Sequence, residues 1–275
     1  MKKSDIKACI MRIEGTNCED ETERAFEKLG VNGEIVHLNQ LIGSVSEEKK
    51  RKLSDYDILM LPGGFSAGDY VSSGTIMAAR IRAGLYGEMR DFVDEGKPVG
   101  GICNGFQVLL NLGLLDTRAA LTTNRSARFE CRPVFLEKVH DCAFSHLTGE
   151  NICLPVAHGE GRFVFSPGEE GSMFKELEEN EQIVFTYSRD GGGLADGEYP
   201  YNPNGSFRDI AAICSREKNV FGLMPHPERV LENFEQHDWT RSQGGCAYVK
   251  PMKSLDRGDG FSIFESVVSY VERGF

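Results

Sequence analysis

The sequence predicts an α/β protein with a doubly wound, mostly parallel or mixed central sheet flanked by helices and a strand-rich second half. Three observations lead there. Short apolar runs alternate with helical patterns through the first half, and several of those runs end in glycine-rich turns. The second half carries six further short strand-like runs, and one helical pattern closes the chain. Together these describe a flavodoxin-like sheet.

In order, Lys7–Ile13 is apolar and strand-like, and Gly15-Thr16-Asn17 turns it into a helix over Glu19–Leu29 with acidic residues in its first turn. Glu34–Leu38 reads as a second strand. Asp57–Leu61 is a third and ends at Pro62-Gly63-Gly64. Thr75–Glu95 carries a helical pattern closed by Gly96. Lys97-Pro98 leads into the strand Val99–Ile102, and a helix runs from Asn104 to Leu112 before Gly113. The later strand candidates are Arg132–Val139, Asn151–Val156, Arg162–Phe165, Gln182–Tyr187, Asp209–Cys214 and Val220–Leu223. Asp190–Gly205 is a Gly- and Pro-containing loop near a site or surface, and Gly260–Glu272 is a closing helix. No repeat or low-complexity linker divides the chain, so 1–275 is expected to form one domain.

Composition narrows the function. With 31 Lys and Arg against 42 Asp and Glu, the net charge of −11 argues against a nucleic-acid binder, because phosphate contacts need a basic surface. No apolar run approaches a membrane span, and the N-terminal run is too short for a secretory signal, so a cytoplasmic protein is expected. Eight cysteines contain no CxxC pair, which speaks against zinc or a disulfide framework. Most are expected to be small buried hydrophobes, with one reactive.

The reactive candidate is Cys103. In Val99-Gly100-Gly101-Ile102-Cys103-Asn104-Gly105-Phe106-Gln107 it lies between a strand and a helix, flanked as Gly101-x-Cys103-x-Gly105. This is the thiol counterpart of the Gly-x-Ser-x-Gly elbow: a sharp turn strains the nucleophile, and the glycines let strand and helix approach closely. The helix N-terminus favours negative charge there, and the N–H of Asn104 can hold an oxyanion. A buried core cysteine between turn glycines is the competing reading of this segment.

A base and its orienter are offered by Met224-Pro225-His226-Pro227-Glu228-Arg229. The prolines hold the backbone extended, so His226 and Glu228 project to one side. A thiol needs such a base, and the base needs a third group to fix its tautomer. A surface loop tied by a salt bridge to Arg229 is the alternative. Of the other histidines, His158 in His158-Gly159-Glu160-Gly161-Arg162-Phe163 is the one rival, placed by its glycines near a site or partner interface. After the third strand, Pro62-Gly63-Gly64-Phe65-Ser66-Ala67-Gly68-Asp69 can aim the Gly64 N–H at the same oxyanion. It matches neither the P-loop nor the dinucleotide fingerprint, and an ordinary strand-to-helix turn remains an equal reading.

Pro-Gly-Gly, then Gly-x-Cys-x-Gly-x-Gln, then His-Pro-Glu, in this order over Leu61–Glu228, resemble class I (triad) glutamine amidotransferases. Within that class, five strings are similar to the branch formed by the glutaminase subunits of phosphoribosylformylglycinamidine synthase. They are Gly63-Gly64-Phe65-Ser66-x-Gly68-Asp69, Cys103-Asn104-Gly105-Phe106-Gln107, Ala157-His158-Gly159-Glu160-Gly161-Arg162-Phe163, Tyr201-Asn202-Pro203-Asn204-Gly205-Ser206 and Pro225-His226-Pro227-Glu228-Arg229. Where other members carry Thr-Ser-x-Asn-His-Gly, this chain reads Asn124-Arg125-Ser126-Ala127-Arg128-Phe129-Glu130.

The resemblance implies that L-glutamine is hydrolysed by Cys103 as nucleophile, His226 as base and Glu228 as orienter. Gly64 and Asn104 would form the oxyanion hole, and Gln107, Asn124 and Phe129 would contact substrate. It implies no cofactor and no metal in this subunit, with ATP and Mg belonging to a partner synthetase (large) subunit, bridged by a small third subunit. Ammonia passes to that synthetase, which acts on formylglycinamide ribonucleotide in purine biosynthesis. Ala157–Phe163 and Asp190–Ser206 are expected docking or signalling surfaces. The alternatives are a glutaminase for another ammonia acceptor, a different cysteine chemistry on a similar sheet such as a peptidase or glyoxalase-type chaperone, and a regulatory module with a vestigial site.

Overall fold

In a computed structural model, residues 1–115, 118–239 and 257–274 are described. Cys246 and most of the segment Leu231–Asp256, which the sequence left without a role, lie outside them.

Eleven strands occur among the described residues: β1 Lys7–Arg12, β2 Asn32–His37, β3 Ile58–Leu61, β4 Val99–Ile102, β5 Ala119–Thr122, β6 Glu130–Lys138, β7 Asn151–His158, β8 Arg162–Phe165, β9 Ile183–Ser188, β10 Ile210–Cys214 and β11 Val220–Leu223. Nine form one sheet in the order β2-β1-β3-β4-β11-β10-β9-β6-β7, while β5 and β8 form a separate pair. From β2 to β11 every pairing is parallel; from β11 to β7 every pairing is antiparallel. The expected mixed α/β sheet is therefore observed.

The helices are α1 Glu19–Leu29, α2 Leu38–Leu41, α3 Thr75–Gly84, α4 Tyr86–Asp94, α5 Asn104–Leu112, α6 Glu170–Glu179 and α7 Phe261–Arg273. Alternation along the strands sends side chains to two cores. Ala8, Ile10, Ile58 and Met60 pack on one face with Phe26 of α1 and Phe264 of α7, whose rings meet edge-on at 5.5 Å. Cys9, Met11, Leu59 and Leu61 pack on the other with Met77 and Ile81 of α3 and Met89 and Phe92 of α4. No helix among the described residues is long and apolar enough to cross a membrane.

Three departures from the sequence reading have local causes. The single helix expected over Thr75–Glu95 is two, because Leu85 leaves helical geometry (φ −140°, ψ −5°) and is buried in the core. Gly84, the last residue of α3, lets the Ile42 side chain approach closely, since a Cβ there would sit 2.9 Å from it. Strand β5 alternates in burial, but its residues Ala119-Ala120-Leu121-Thr122 show no alternation of polarity that would give a period-2 signal. Helix α6 is strongly acidic and buries only Met173 and Leu177, one turn apart.

What matters for function is the edge where β3, β4 and β11 end. These adjacent parallel strands run in register, with Leu61 opposite Gly101 and Leu223 opposite Ile102. The chain leaves them as the Gly63-Gly64 turn, the Cys103 elbow and the His226 segment. Helix α5 lies so close that a Cβ on Gly105 would fall 1.9 Å from the Leu61 carbonyl oxygen, and one on Gly222 would fall 2.1 Å from the Phe106 ring.

Gly105→Ala is therefore expected to destabilise by about 1–3 kcal/mol or more through overpacking. Gly87→Ala, in exposed α4 with no atom within 4 Å of the added methyl, should instead be neutral or stabilise by about 0.5–1 kcal/mol. Urea unfolding of both variants checks this, and similar midpoints for the two would refute the close approach.

Candidate active site

The backbone at Cys103 has φ +50° and ψ −104°, a conformation an L-residue adopts only when its surroundings impose it. The surroundings are tight. The Cys103 N–H donates to the Leu223 carbonyl (2.7 Å), and a Cβ on Gly101 would lie 2.6 Å from the Gly105 carbonyl oxygen. The expected elbow is present, with Asn104 opening α5. The Cys103 thiol lies 3.8 Å from the Ala157 carbonyl oxygen at the end of β7.

His226 follows β11, and its N–H donates to the Pro155 carbonyl (2.8 Å). Its Nδ1 lies 2.5 Å from Glu228 Oε1, and both side chains are buried. Contact is made through a tight turn over Pro227–Arg229 that follows an extended His226, rather than through the fully extended backbone expected. Among the described residues the alternative salt bridge to Arg229 does not form; Arg229 donates to Cys18 Sγ (3.3 Å). Gly63 closes the group, since a Cβ there would lie 2.6 Å from His226 Cε1 and 3.4 Å from Cys103 Cβ.

Burial opposes charge on His226, but Glu228 and then Cys103 outweigh it and hold the imidazole pKa well above its ordinary 6.5. Burial likewise opposes charge on Glu228, and the His226 imidazolium outweighs it, holding the carboxyl below its ordinary 4.5. Among the described residues the second Glu228 oxygen and His226 Nε2 have no hydrogen-bond partner at ordinary distances, although Cys103 stands close enough to raise the imidazole pKa. His226 Nε2 is thus the nitrogen available for proton transfer, with Nδ1 fixed by Glu228.

The oxyanion loop is clamped from outside. Asn17 N–H donates to the Gly63 carbonyl (3.1 Å) and Phe65 N–H to the Gly15 carbonyl (2.8 Å), so Gly64, at φ +147°, is bridged to Thr16 by its neighbours. The Gly64 N–H itself is not used in that bridge. From the helix side, Asn104 Oδ1 accepts from the Ser66 N–H (3.2 Å), and its Nδ2 reaches Asp69 (3.1 Å) and Gln107 Oε1 (2.9 Å).

Gln107 and Asn124 stand behind the surface. Gln107 Nε2 donates to the Glu160 carbonyl (2.6 Å), so the side chain joins α5 to the 158–163 turn. Asn124 is buried with both ends engaged: Nδ2 donates to the Arg128 and His158 carbonyls, and Oδ1 accepts from the Gly161 N–H (3.0 Å) and faces His158 Nδ1 (3.2 Å). Phe129 is half exposed and stacks on the equally exposed Phe65 beside the oxyanion loop, with centroids 6.4 Å apart. Tyr70 and Val71 extend this apolar rim.

His158 is buried, and burial together with the charge of His226 pushes its pKa down to about 3, so it stays neutral. Ala157–Phe163, expected as a docking surface, consists of buried and half-buried residues. The residue missed by sequence reading is Cys18, at the start of α1, whose thiol lies 3.8 Å from His226 Nδ1 and is pushed above its ordinary range by burial. Nothing in the local string around Cys18 points to His226, 208 residues away. Cys18, His226 and Glu228 place three potential metal ligands within 4.8 Å of one another. The guanidinium at Cys18 and the engaged Nδ1 favour acid–base work over cation binding.

The CobB/CobQ-like glutamine amidotransferase domain family matches residues 5–271. "Phosphoribosylformylglycinamidine synthase subunit PurQ" of Archaeoglobus fulgidus is 43% identical, with the match covering 99% of this chain and 100% of the relative. The subunit of the same name from Dehalococcoides mccartyi is 35% identical over 98% of this chain and 99% of its own. Among solved structures, a chain of "PurLQS from Thermotoga maritima" superimposes with a TM-score of 0.71 at 31% identity, covering 97% of this chain and 99% of that one.

Both shifts have consequences for stability. The Glu228 contribution is fully present above 4.5 and is lost as pH falls through the lowered value; that of His226 is fully present below 6.5 and is lost as pH rises through the raised value. Wild type should exceed Glu228→Gln in stability most between pH 4.5 and 6.5, with the gap narrowing on either side. Denaturant titrations across that range test it, and a flat difference would show that the pair is not ionised in the folded chain.

Proposed function

The chain belongs to the glutamine amidotransferase family of the PurQ subunits of phosphoribosylformylglycinamidine synthase, and from that premise we propose how its residues release ammonia from L-glutamine. Cys103 Sγ attacks the side-chain amide carbon with its proton already held on His226 Nε2, as the raised imidazole pKa requires. The oxyanion is received by the N–H groups of Gly64 and Asn104. Collapse breaks the C–N bond, His226 returns the proton to the departing ammonia, and a glutamyl thioester remains on Cys103. His226 then deprotonates a water, which attacks the thioester and frees glutamate and the thiol. Glu228 holds the imidazole in the tautomer that leaves Nε2 facing the reaction.

The observation that carries this reading is the convergence of three parallel strand ends on one point. It supplies a strained cysteine, a buried His–Glu pair at 2.5 Å and a Gly64 N–H that the bridge to Thr16 does not use. In this reading Phe129 with Phe65 lines the entrance, while Gln107 and Asn124 hold its walls rather than meeting glutamine through their amides.

Ammonia released into water becomes ammonium and loses its nucleophilicity, so the chain works against a synthetase subunit with a small third subunit completing the complex. We assign ATP, Mg and the ligase step to that synthetase, and none of them to this chain. The exposed rim of Phe65, Tyr70, Val71 and Phe129 is the surface we offer for covering the mouth. The same reading takes 1–275 as one domain, because strands from both halves of the sequence join in one sheet through β4 and β11, and places it in the cytoplasm.

Cys103→Ala is expected to lower glutamate release by at least about 10³-fold, and Cys103→Ala/His226→Ala to lower it no further, because the two act as one unit. The assay runs on the chain reconstituted with a formylglycinamidine synthetase, its small subunit, ATP and formylglycinamide ribonucleotide. Additive losses in the double variant would break the shared role, and hydrolysis indifferent to the synthetase would overturn the acceptor.

A further inference from the structure

A cavity of about 640 Å³ opens away from the triad, between the start of α6, the Asp196–Gly197 loop and the turn after Gly205. No triad residue lines it. Its volume lies within the range of small-molecule sites.

Its walls carry three arginines, Arg125, Arg162 and Arg208, in a chain of net charge −11. Among the described residues none of the three makes an ion pair, whereas the nearby Arg118 and Arg216 both reach Glu176. Their side chains are nevertheless held in place. Arg162 Nε donates to the Gly205 carbonyl (3.2 Å), Arg208 lies over the Phe174 ring at 5.6 Å, and Arg125 packs so tightly across Gly205 that a Cβ there would meet it at 2.9 Å. Guanidiniums held in place without a carboxylate partner among the described residues are suited to gripping phosphoryl oxygens.

Two of the three carboxylates at the cavity are turned to backbone. Asp209 Oδ1 accepts from the Gly197 N–H (3.0 Å) and from Asn202 Nδ2 (2.7 Å), and Glu170 Oε2 accepts from the Gly168 N–H (2.8 Å). The third, Asp196, stands exposed on the rim, where it can accept from a ligand hydroxyl. Arg208 and Asp209 are consecutive non-glycine residues at φ +49° and +60°, a strained pair of the kind that clusters at ligand clamps.

The same wall is wired to the glutaminase centre. The Arg125 N–H donates to the Asn204 carbonyl (2.9 Å), and Asn204 Nδ2 donates to the Gly161 carbonyl (2.8 Å). Next to Gly161, the Glu160 carbonyl accepts from Gln107, which accepts in turn from Asn104. The chain of contacts ends on the residue whose N–H is assigned to the oxyanion hole.

We propose that this cavity binds a phosphate-bearing small molecule of sugar-phosphate or mononucleotide size, and that its occupation alters glutamine hydrolysis through the 158–163 turn. The second half rests on the function proposed above; the first does not.

Calorimetry of the full chain with ribose 5-phosphate and, separately, with inorganic phosphate tests the site. Ribose 5-phosphate should bind at sub-millimolar concentration and more tightly than phosphate. Arg125→Ala/Arg208→Ala, with an unchanged melting curve, should weaken it at least about tenfold. No binding of either probe at millimolar concentration, or equal binding by the double variant, overturns the proposal. Glutamate release by the reconstituted complex is then compared with and without ribose 5-phosphate. A change that the double variant loses supports the coupling, and an unchanged rate overturns it. A chain that hydrolyses no glutamine at all would count against the proposed function while calorimetry still decides the site.

Discussion

Everything at the site depends on the parallel alignment of β3, β4 and β11. Three adjacent strands pointing the same way must end at the same edge, and their register decides which residues leave them together. With Leu61 opposite Gly101 and Leu223 opposite Ile102, the Gly-Gly turn, the cysteine and the histidine segment emerge side by side. A slip of one residue would turn every side chain on a strand to the opposite face. The glycines enforce the fit: Gly63, Gly101, Gly105 and Gly222 each stand where a methyl group would collide with a neighbouring strand, helix or triad side chain. Strain at Cys103 is thus not a local preference but the result of docking α5 tightly against β3 and β11.

Within that frame, the His226–Glu228 pair shows why both partners must be buried together. Either charge alone in this interior would be costly, and the opposing pKa directions say that each makes the other's ionisation tolerable. Such a pair adds little net stability compared with an apolar substitute, but it fixes the imidazole orientation. Cys18 and Arg229 belong to the same balance. The thiol stays close to Nδ1 without taking a charge of its own, and Arg229 finds its donor bond there instead of competing for Glu228.

The legible parts of the sequence were those where chemistry imposes residue type at short range. Gly101-x-Cys103-x-Gly105 announces a geometry that few other residues could satisfy, His226-Pro227-Glu228 announces the pairing though not the turn that makes it, and β4, α5 and β11 fall on the boundaries read from pattern alone. What escaped depends on distant partners. Nothing near Asn124 says that its amide closes the His158–Gly161 turn, and nothing near Cys18 says that it faces His226. The insertion of β11 between β4 and β10 is equally invisible, because strand order is settled by packing across more than a hundred residues. Leu85 defeated the helical pattern for the same reason: a tertiary pocket outweighed local propensity.

The oxyanion loop is the least self-sufficient element of the site. Ala67, Asp69 and Val71 all sit at positive φ, which for the β-branched Val71 is a true outlier, and each such residue costs roughly 1–3 kcal/mol. The loop therefore keeps its shape through bonds made elsewhere: Gly15 and Asn17 on one side, Asn104 and Ser73 on the other. Its apolar tip, Tyr70 and Val71, gains nothing from the fold, being among the most exposed large side chains of the chain. A segment that is strained within, anchored at both flanks and unburied at its tip has its energy set by contacts outside itself. It is also the segment that carries Gly64. A surface that covered Tyr70, Val71, Phe65 and Phe129 would therefore act directly on the backbone proposed to receive the oxyanion, with no need to transmit force through the sheet.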